Sequence, residues 1–161
     1  MKMNKTLEAG CPFCDAEIGE ATFAESNHFR AVYNISPILP GHSLVIPKWH
    51  IGSLLELGDE ELGEMMVFAR EVVRTLLTAF HARAFDWTIQ EGAEAGQTVP
   101  HLHLHLLPRM GKDLPHPGGW YPLLQDNITA EAIDSEGRLR ISKEEMDQIV
   151  RHLRGAWRNN S

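Results

Sequence analysis

The hydrophobic positions of this chain change period several times, and each change marks an element. Ala21 to Ser26 and His28 to Ile35 mix apolar and polar residues at strand length with Asn27 between them, which predicts a hairpin. Ser36-Pro37 and Pro40-Gly41 punctuate the next segment, and Ser43 to Pro47 (SLVIP), too short for a helix and rich in β-branched residues, predicts a third strand. From Asp59 the apolar positions Leu62, Met65, Met66, Ala69, Val72, Val73, Leu76, Leu77 and Phe80 recur at helical spacing. Asp59 is the expected N-cap, Glu60 and Glu61 complement the helix dipole, and Gly63 weakens the first turn. The Met and Phe stripe reads as core or as a subunit interface. Phe85 to Gln90 (FDWTIQ) and His101 to Leu107 alternate like half-buried strands, with a glycine-containing loop from Glu91 to Thr98 between them. Leu114 to Asn127 reads as a loop carrying Trp120 and Tyr121, and Ser142 to Trp157 as a C-terminal helix opened by a Ser-x-x-Glu capping box. The sum is about five strands, one long helix and a C-terminal helix.

Length and charge narrow the classes. A chain of 161 residues is expected to form one domain and to bury enough surface to need no disulfide. With 15 Lys and Arg against 22 Asp and Glu, the formal charge of -7 argues against a surface that holds nucleic acid by counterion release, while leaving room for a small phosphorylated ligand. The basic stretch from Arg138 to Arg158 reads as a solvated helix face. No run approaches the roughly 20 apolar residues that span a bilayer, and Met1 to Gly10 lacks the apolar run of a signal peptide. A soluble, unexported protein is expected, in which the two cysteines, Cys11 and Cys14 of one Cys-Pro-Phe-Cys unit, form half a metal site or a redox pair.

His101-Leu-His103-Leu-His105-Leu-Leu-Pro-Arg109 carries the most chemistry. On a strand the three imidazoles share one face while Leu102, Leu104 and Leu106 pack behind. Such a row serves as a metal site with an open position, as a nucleophilic imidazole assisted by its neighbours, or as a polar structural face. The preceding loop, Glu91-Gly-Ala-Glu-Ala-Gly96-Gln97-Thr98-Val99, favours the nucleophile. Its glycines permit close backbone approach, and its N–H groups with the Gln97 and Thr98 side chains suit phosphoryl oxygens. It lacks the Gly-Lys-Ser/Thr ending of a Walker loop.

The block from Gln90 to Arg109, with Pro40-Gly-His42-Ser-Leu-Val-Ile-Pro-Lys48 and Asn34 in order before it, closely resembles the signature of histidine triad (HIT) nucleotide hydrolases and transferases over roughly Cys11 to Arg109. That resemblance implies an α+β fold, a HIT-like antiparallel sheet within a single domain over residues 1–161, with its core at 11–109 and a C-terminal loop and helix at 110–161. It also implies a homodimer acting on the α-phosphate of a nucleotide. His103 would be the nucleophile that forms a nucleotidyl intermediate resolved by water. His105 and Gln97 would lie near the α-phosphate, and His42 would support the reactive ring. Asn34 would contact ribose, and Gly96, Gln97, Thr98 and Val99 would line the substrate. Gln90 resembles the branch that cleaves dinucleoside polyphosphates rather than the phosphoramidase branch. His105 favours hydrolysis over transfer to a sugar phosphate, since that branch has glutamine there.

In the HIT branch with an N-terminal Cys-x-x-Cys, the resemblance assigns a structural zinc to Cys11, Cys14, His50 and His101, in a cytoplasmic protein. The redox alternative lacks a preceding strand and a helix opening at the first cysteine. His28, His81, His116 and His152 are expected to be surface or hydrogen-bonded structural residues. Phe13, Phe29, Ile35 and Leu39 lie near the family's base-binding segments yet read first as core. A nucleotide-binding regulatory module is the reading from a different class.

Overall fold

The computed structural model describes residues 5–125 and 140–160. Residues 1–4 of the N-terminal segment, 126 and 127 of the expected loop, and Arg138 lie outside them. The elements run α1 (Ile18–Ala21), β1 (Thr22–Glu25), β2 (Phe29–Tyr33), β3 (Ser43–Pro47), α2 (Asp59–Ala79), β4 (Ala84–Ile89), β5 (Leu104–Arg109), α3 (Trp120–Gln125) and α4 (Lys143–Asn160). The five strands form one antiparallel sheet in the order β1-β2-β3-β5-β4. This is the α+β architecture that the periodicity and the resemblance anticipate.

One face of the sheet packs under the two long helices. Phe29, Ala31, Tyr33, Val45, Leu104 and Leu106 meet Met65, Phe68, Ala69, Val72 and Leu76 of α2 and Met146, Val150 and Leu153 of α4. Each such side chain contributes about 1.5–3 kcal/mol on burial, and together they set the strand register. The opposite face carries a smaller cluster, Val32, Leu44 and Ile46, covered by Phe13, Ile18 and Ala21. The histidines lie on this second face.

Several boundaries differ from the sequence reading. Helix α2 is capped by Gly58 rather than Asp59, because the Glu61 carboxylate accepts the Gly58 N–H at 3.1 Å. Met66 is 38% exposed, and Phe68 takes the core position instead. The ladder of β5 starts at Leu104, not His101. Continuing its register with β3 would set Leu102 against Pro47, which has no N–H to donate; the Leu102 N–H bonds the Ile51 carbonyl instead. The expected loop after Leu114 contains a 3-10 turn, Pro117–Gly119, and α3. The capping box of α4 is present, with Ser142 N–H to Glu145 at 2.9 Å and Glu145 N–H to the Ser142 hydroxyl at 3.2 Å.

Arg109 ends β5 in an ion network. Its guanidinium reaches Asp86 at 2.7 Å, Asp113 at 2.8 and 2.9 Å, and the Pro117 carbonyl at 2.6 Å. These bonds take four of its five N–H groups, so the cation fastens the turn after β5.

Candidate functional site

His42 enters the second face from the loop before β3, and Gly41 sets its approach. Gly41 has φ +89, and a Cβ there would stand 2.3 Å from Pro108 Cγ, so only glycine fits. The Ile38 N–H donates to His42 Nδ1 at 3.3 Å, which leaves the ring hydrogen on Nε2, 2.9 Å from His105 Nδ1. His105 Nδ1 therefore accepts, and the His105 hydrogen sits on Nε2. Asn34 stands beside this pair. Its Oδ1 takes the Ser36 N–H at 2.9 Å, and its Nδ2 lies 3.4 to 3.5 Å from the His42 ring nitrogens.

His103 is fixed separately. Its Nδ1 lies 2.7 Å from the His101 carbonyl, which only accepts, so Nδ1 carries the hydrogen and Nε2 holds the lone pair. Nε2 has no hydrogen-bond partner among the described residues. Burial pushes the ring below its ordinary 6.5, against the opposing pull of the His101 carbonyl, and so favours the neutral form at physiological pH. The ring is 5% exposed and touches Phe13 at 5.4 Å and His105 at 4.8 Å between centroids.

The first histidine of the row turns to the cysteines. His101 Nε2 donates to the Pro47 carbonyl at 3.2 Å, so the Nδ1 lone pair faces Cys11 Sγ at 3.4 Å and Cys14 Sγ at 3.6 Å. His50 Nδ1 lies 3.6 Å from Cys14 Sγ. The four donor atoms fall within 4.8 Å of one another, and these residues could hold a metal ion. Burial, with the nearby His50 charge in support, pushes His101 down to about 4, and burial pushes the Cys11 thiol up. A carbonyl on the second ring nitrogen is the usual support of a metal-bound histidine.

Gln90 follows β4. The pairing of Ile89 with Leu104 places Gln90, one residue on, opposite His103. Its Nε2 is enclosed and has no partner among the described residues, a cost of about 1–3 kcal/mol that a ligand would relieve. The loop beyond it holds Gly92 and Gly96 at φ +81 and +90 around a 3-10 turn, Ala93–Ala95. Gln97 makes no hydrogen bond to the His103 ring among the described residues. Its Oε1 accepts the Gly92 N–H at 2.8 Å and its Nε2 donates to the Gly52 carbonyl at 3.2 Å. Thr98 is exposed, and the Val99 carbonyl accepts the His101 N–H at 2.8 Å.

Two contributors were not legible beforehand. The Glu91 carboxylate accepts from the Ser53 hydroxyl and the Leu54 N–H, tying the glycine loop to the segment after His50. Phe13 reaches His101 and His103 together. No local pattern signals either, since the partners lie tens of residues apart. Phe29 and Leu39 are core, whereas Ile35 is 50% exposed. His28 bonds Glu64 at 2.6 Å and His152 bonds the Ala79 carbonyl at 3.3 Å, as structural roles require.

The family model described as HIT domain matches residues 15–112. A bis(5'-nucleosyl)-tetraphosphatase [asymmetrical] of Schizosaccharomyces pombe is 36% identical over 115 residues, 71% of this chain and 63% of that protein. A bifunctional bis(5'-adenosyl)-triphosphatase/adenylylsulfatase FHIT of Arabidopsis thaliana is 31% identical over 123 residues, 76% of this chain and 66% of that protein. The chain thus spans a little under two thirds of the length of these relatives. A zinc-bound histidine triad family protein from Mycobacterium smegmatis superposes with a TM-score of 0.68 at 27% identity, over 93% of this chain and 94% of that one.

Proposed function

Because the chain belongs to the HIT domain family, we propose that it hydrolyses dinucleoside polyphosphates or related nucleotide conjugates at the α-phosphate through a covalent bond to His103. The observation that carries this reading is the division of labour among the rings. His103 keeps a neutral, unpartnered Nε2 by donating Nδ1–H to the His101 carbonyl, while the chain from Ile38 through His42 leaves His105 with a donor hydrogen on Nε2.

The chemistry follows from these proton positions. The Nε2 lone pair forms a P–N bond as the bridging P–O bond breaks, and that electron pair departs with the leaving nucleotide. Water then forms a P–O bond, the P–N pair returns to Nε2, and the water proton passes to solvent. His105 Nε2–H donates to a non-bridging oxygen as charge develops. Gln90 offers its spare Nε2–H to the phosphate chain. Gln97 reaches the phosphoryl group by releasing Gly92 and Gly52, within the backbone cradle of Gly96, Thr98 and Val99. Asn34, beside His42, is the ribose contact.

Cys11, Cys14, His50 and His101 suit zinc. Tetrahedral Zn–S and Zn–N bonds of ordinary length imply S···N edges of about 3.6 Å, and the Cys11–His101, Cys14–His50 and Cys14–His101 separations are 3.4 to 3.6 Å, with all four donor atoms within 4.8 Å of one another. When bound, zinc would cross-link the N-terminal turn to the catalytic strand, a structural role. Free thiols kept as donors suit a reducing, cytoplasmic setting. The single domain over 1–161 and a homodimer complete the proposal. No helix among the described residues is long and apolar enough to cross a membrane.

The test is kcat/KM for diadenosine tetraphosphate against adenosine phosphoramidate. The proposal expects at least about a tenfold preference for the polyphosphate, equivalent to about 1.4 kcal/mol. A reversed preference would make the chain a phosphoramidase. Tight nucleotide binding with negligible turnover of both would make it a regulatory module.

A further inference from the structure

Phe13 occupies the middle of the Cys11–Cys14 turn, which is closed by the Cys14 N–H on the Cys11 carbonyl at 3.0 Å. Both cysteines of that turn point at the donor cluster, so the residue between them cannot move without moving a metal donor. Its ring packs edge-on against His101, with centroids 5.5 Å apart at 90°, and against His103 at 5.4 Å and 64°. Behind it lie Val32, Leu44 and Ile46 of the sheet. Among the described residues His103 has one hydrogen bond, through Nδ1 to the carbonyl of His101. That bond fixes one point of the ring and leaves its tilt to the neighbouring rings, Phe13 and His105. Two routes thus run from the donor cluster to the nucleophile. One passes through the backbone of His101 and the other through Phe13.

We infer that Phe13 is a positioning residue for His103, which couples occupancy of the Cys11, Cys14, His50 and His101 cluster to the orientation of the attacking Nε2. The inference rests on the assignment of His103 as nucleophile. With the turn held by the metal, the aromatic edge braces the imidazole. With the donors released, the brace relaxes together with the turn. A misplacement of a fraction of an ångström at a reacting atom is enough to cost about tenfold in rate.

The experiment uses the zinc-loaded protein and three forms, wild type, Phe13→Leu and Phe13→Tyr. Leucine keeps apolar packing on Val32, Leu44 and Ile46 but removes the aromatic edge, and tyrosine keeps the edge. Zinc content and melting temperature verify that each form is loaded and folded. In Phe13→Leu, kcat for diadenosine tetraphosphate should fall about tenfold with KM changed less than about twofold. The His103 ring signals in 1H–15N spectra should broaden or split, and Phe13→Tyr should restore both readings. Chelating zinc from the wild type should perturb the same ring signals and lower kcat, while chelation of Phe13→Leu should add little. That non-additivity is the signature of one shared route.

Unaltered His103 signals in Phe13→Leu, or equal fold-losses on chelation in both forms, would overturn the inference. A raised KM at unchanged kcat would also overturn it, by making Phe13 a substrate contact. The ring signals do not depend on turnover. If the wild type failed to cleave the polyphosphate, the functional proposal would fall while the spectra still decided the role of Phe13.

Discussion

At the scale of single residues, burial and hydrogen bonds decide which form each side chain takes. Glu64 illustrates how far a carboxylate is driven. Desolvation alone would raise it, yet the Ser26 hydroxyl, the His28 ring and the His28 N–H hold it down to about 2 from 4.5. A depressed carboxylate stabilises the fold in full above its unfolded value and loses that contribution as pH falls from 4.5 toward 2. Glu64→Gln should therefore lower the melting temperature at pH 7 by about 3 °C, for about 1 kcal/mol lost. It should also flatten the acid limb of stability measured by thermal unfolding across pH 2 to 6. An identical acid limb in the variant would mean that the cluster of Ser26, His28 and Glu64 does not carry this pH dependence.

At the scale of elements, β4 ends the sheet with no further strand beside it among the described residues. Phe85 and Trp87 are 45% and 39% exposed on it and touch each other at 5.9 Å. An apolar edge of this kind calls for a cover, and the proposed cover is the same strand of a second copy. Trp87→Glu should turn a dimer into a monomer in sedimentation equilibrium at micromolar concentration. A wild type that is monomeric under those conditions, or a variant that stays dimeric, would contradict the pairing. The elements themselves were largely readable. The helical period of α2 named its buried face, whereas the alternation in β4 located the strand but not its faces, since its apolar positions Phe85 and Trp87 are the exposed ones. The start of β5 was not readable, since what ends its ladder is Pro47 on another strand. The cap of α2 was not readable, since Glu61 reaches back to Gly58, past the aspartate with the better intrinsic preference. The helix α3 lies in a stretch whose proline and glycine content reads as loop.

For the molecule as a whole, the sheet separates two tasks. Its helix-covered face fixes register through Leu104 and Leu106, and that register presents His103 and His105 on the other face beside His42 and Gln90. The histidine row and the cysteine pair were legible from spacing, while the joining of Cys11 and Cys14 with His50 and His101 as candidate metal donors came from the resemblance alone. The resting place of Gln97, the brace from Phe13 and the clasp by Glu91 were not legible, because each depends on segments that only folding brings together. The account therefore centres on one bond, from His103 Nε2 to phosphorus. The most direct measurement is a rapid acid- or base-quench of the enzyme with diadenosine tetraphosphate labelled at the α-phosphate, followed by peptide mapping of the label. The account predicts a transient adenylyl group on His103. Label on a different residue, or turnover at full rate with no covalent label at any time point, would contradict it.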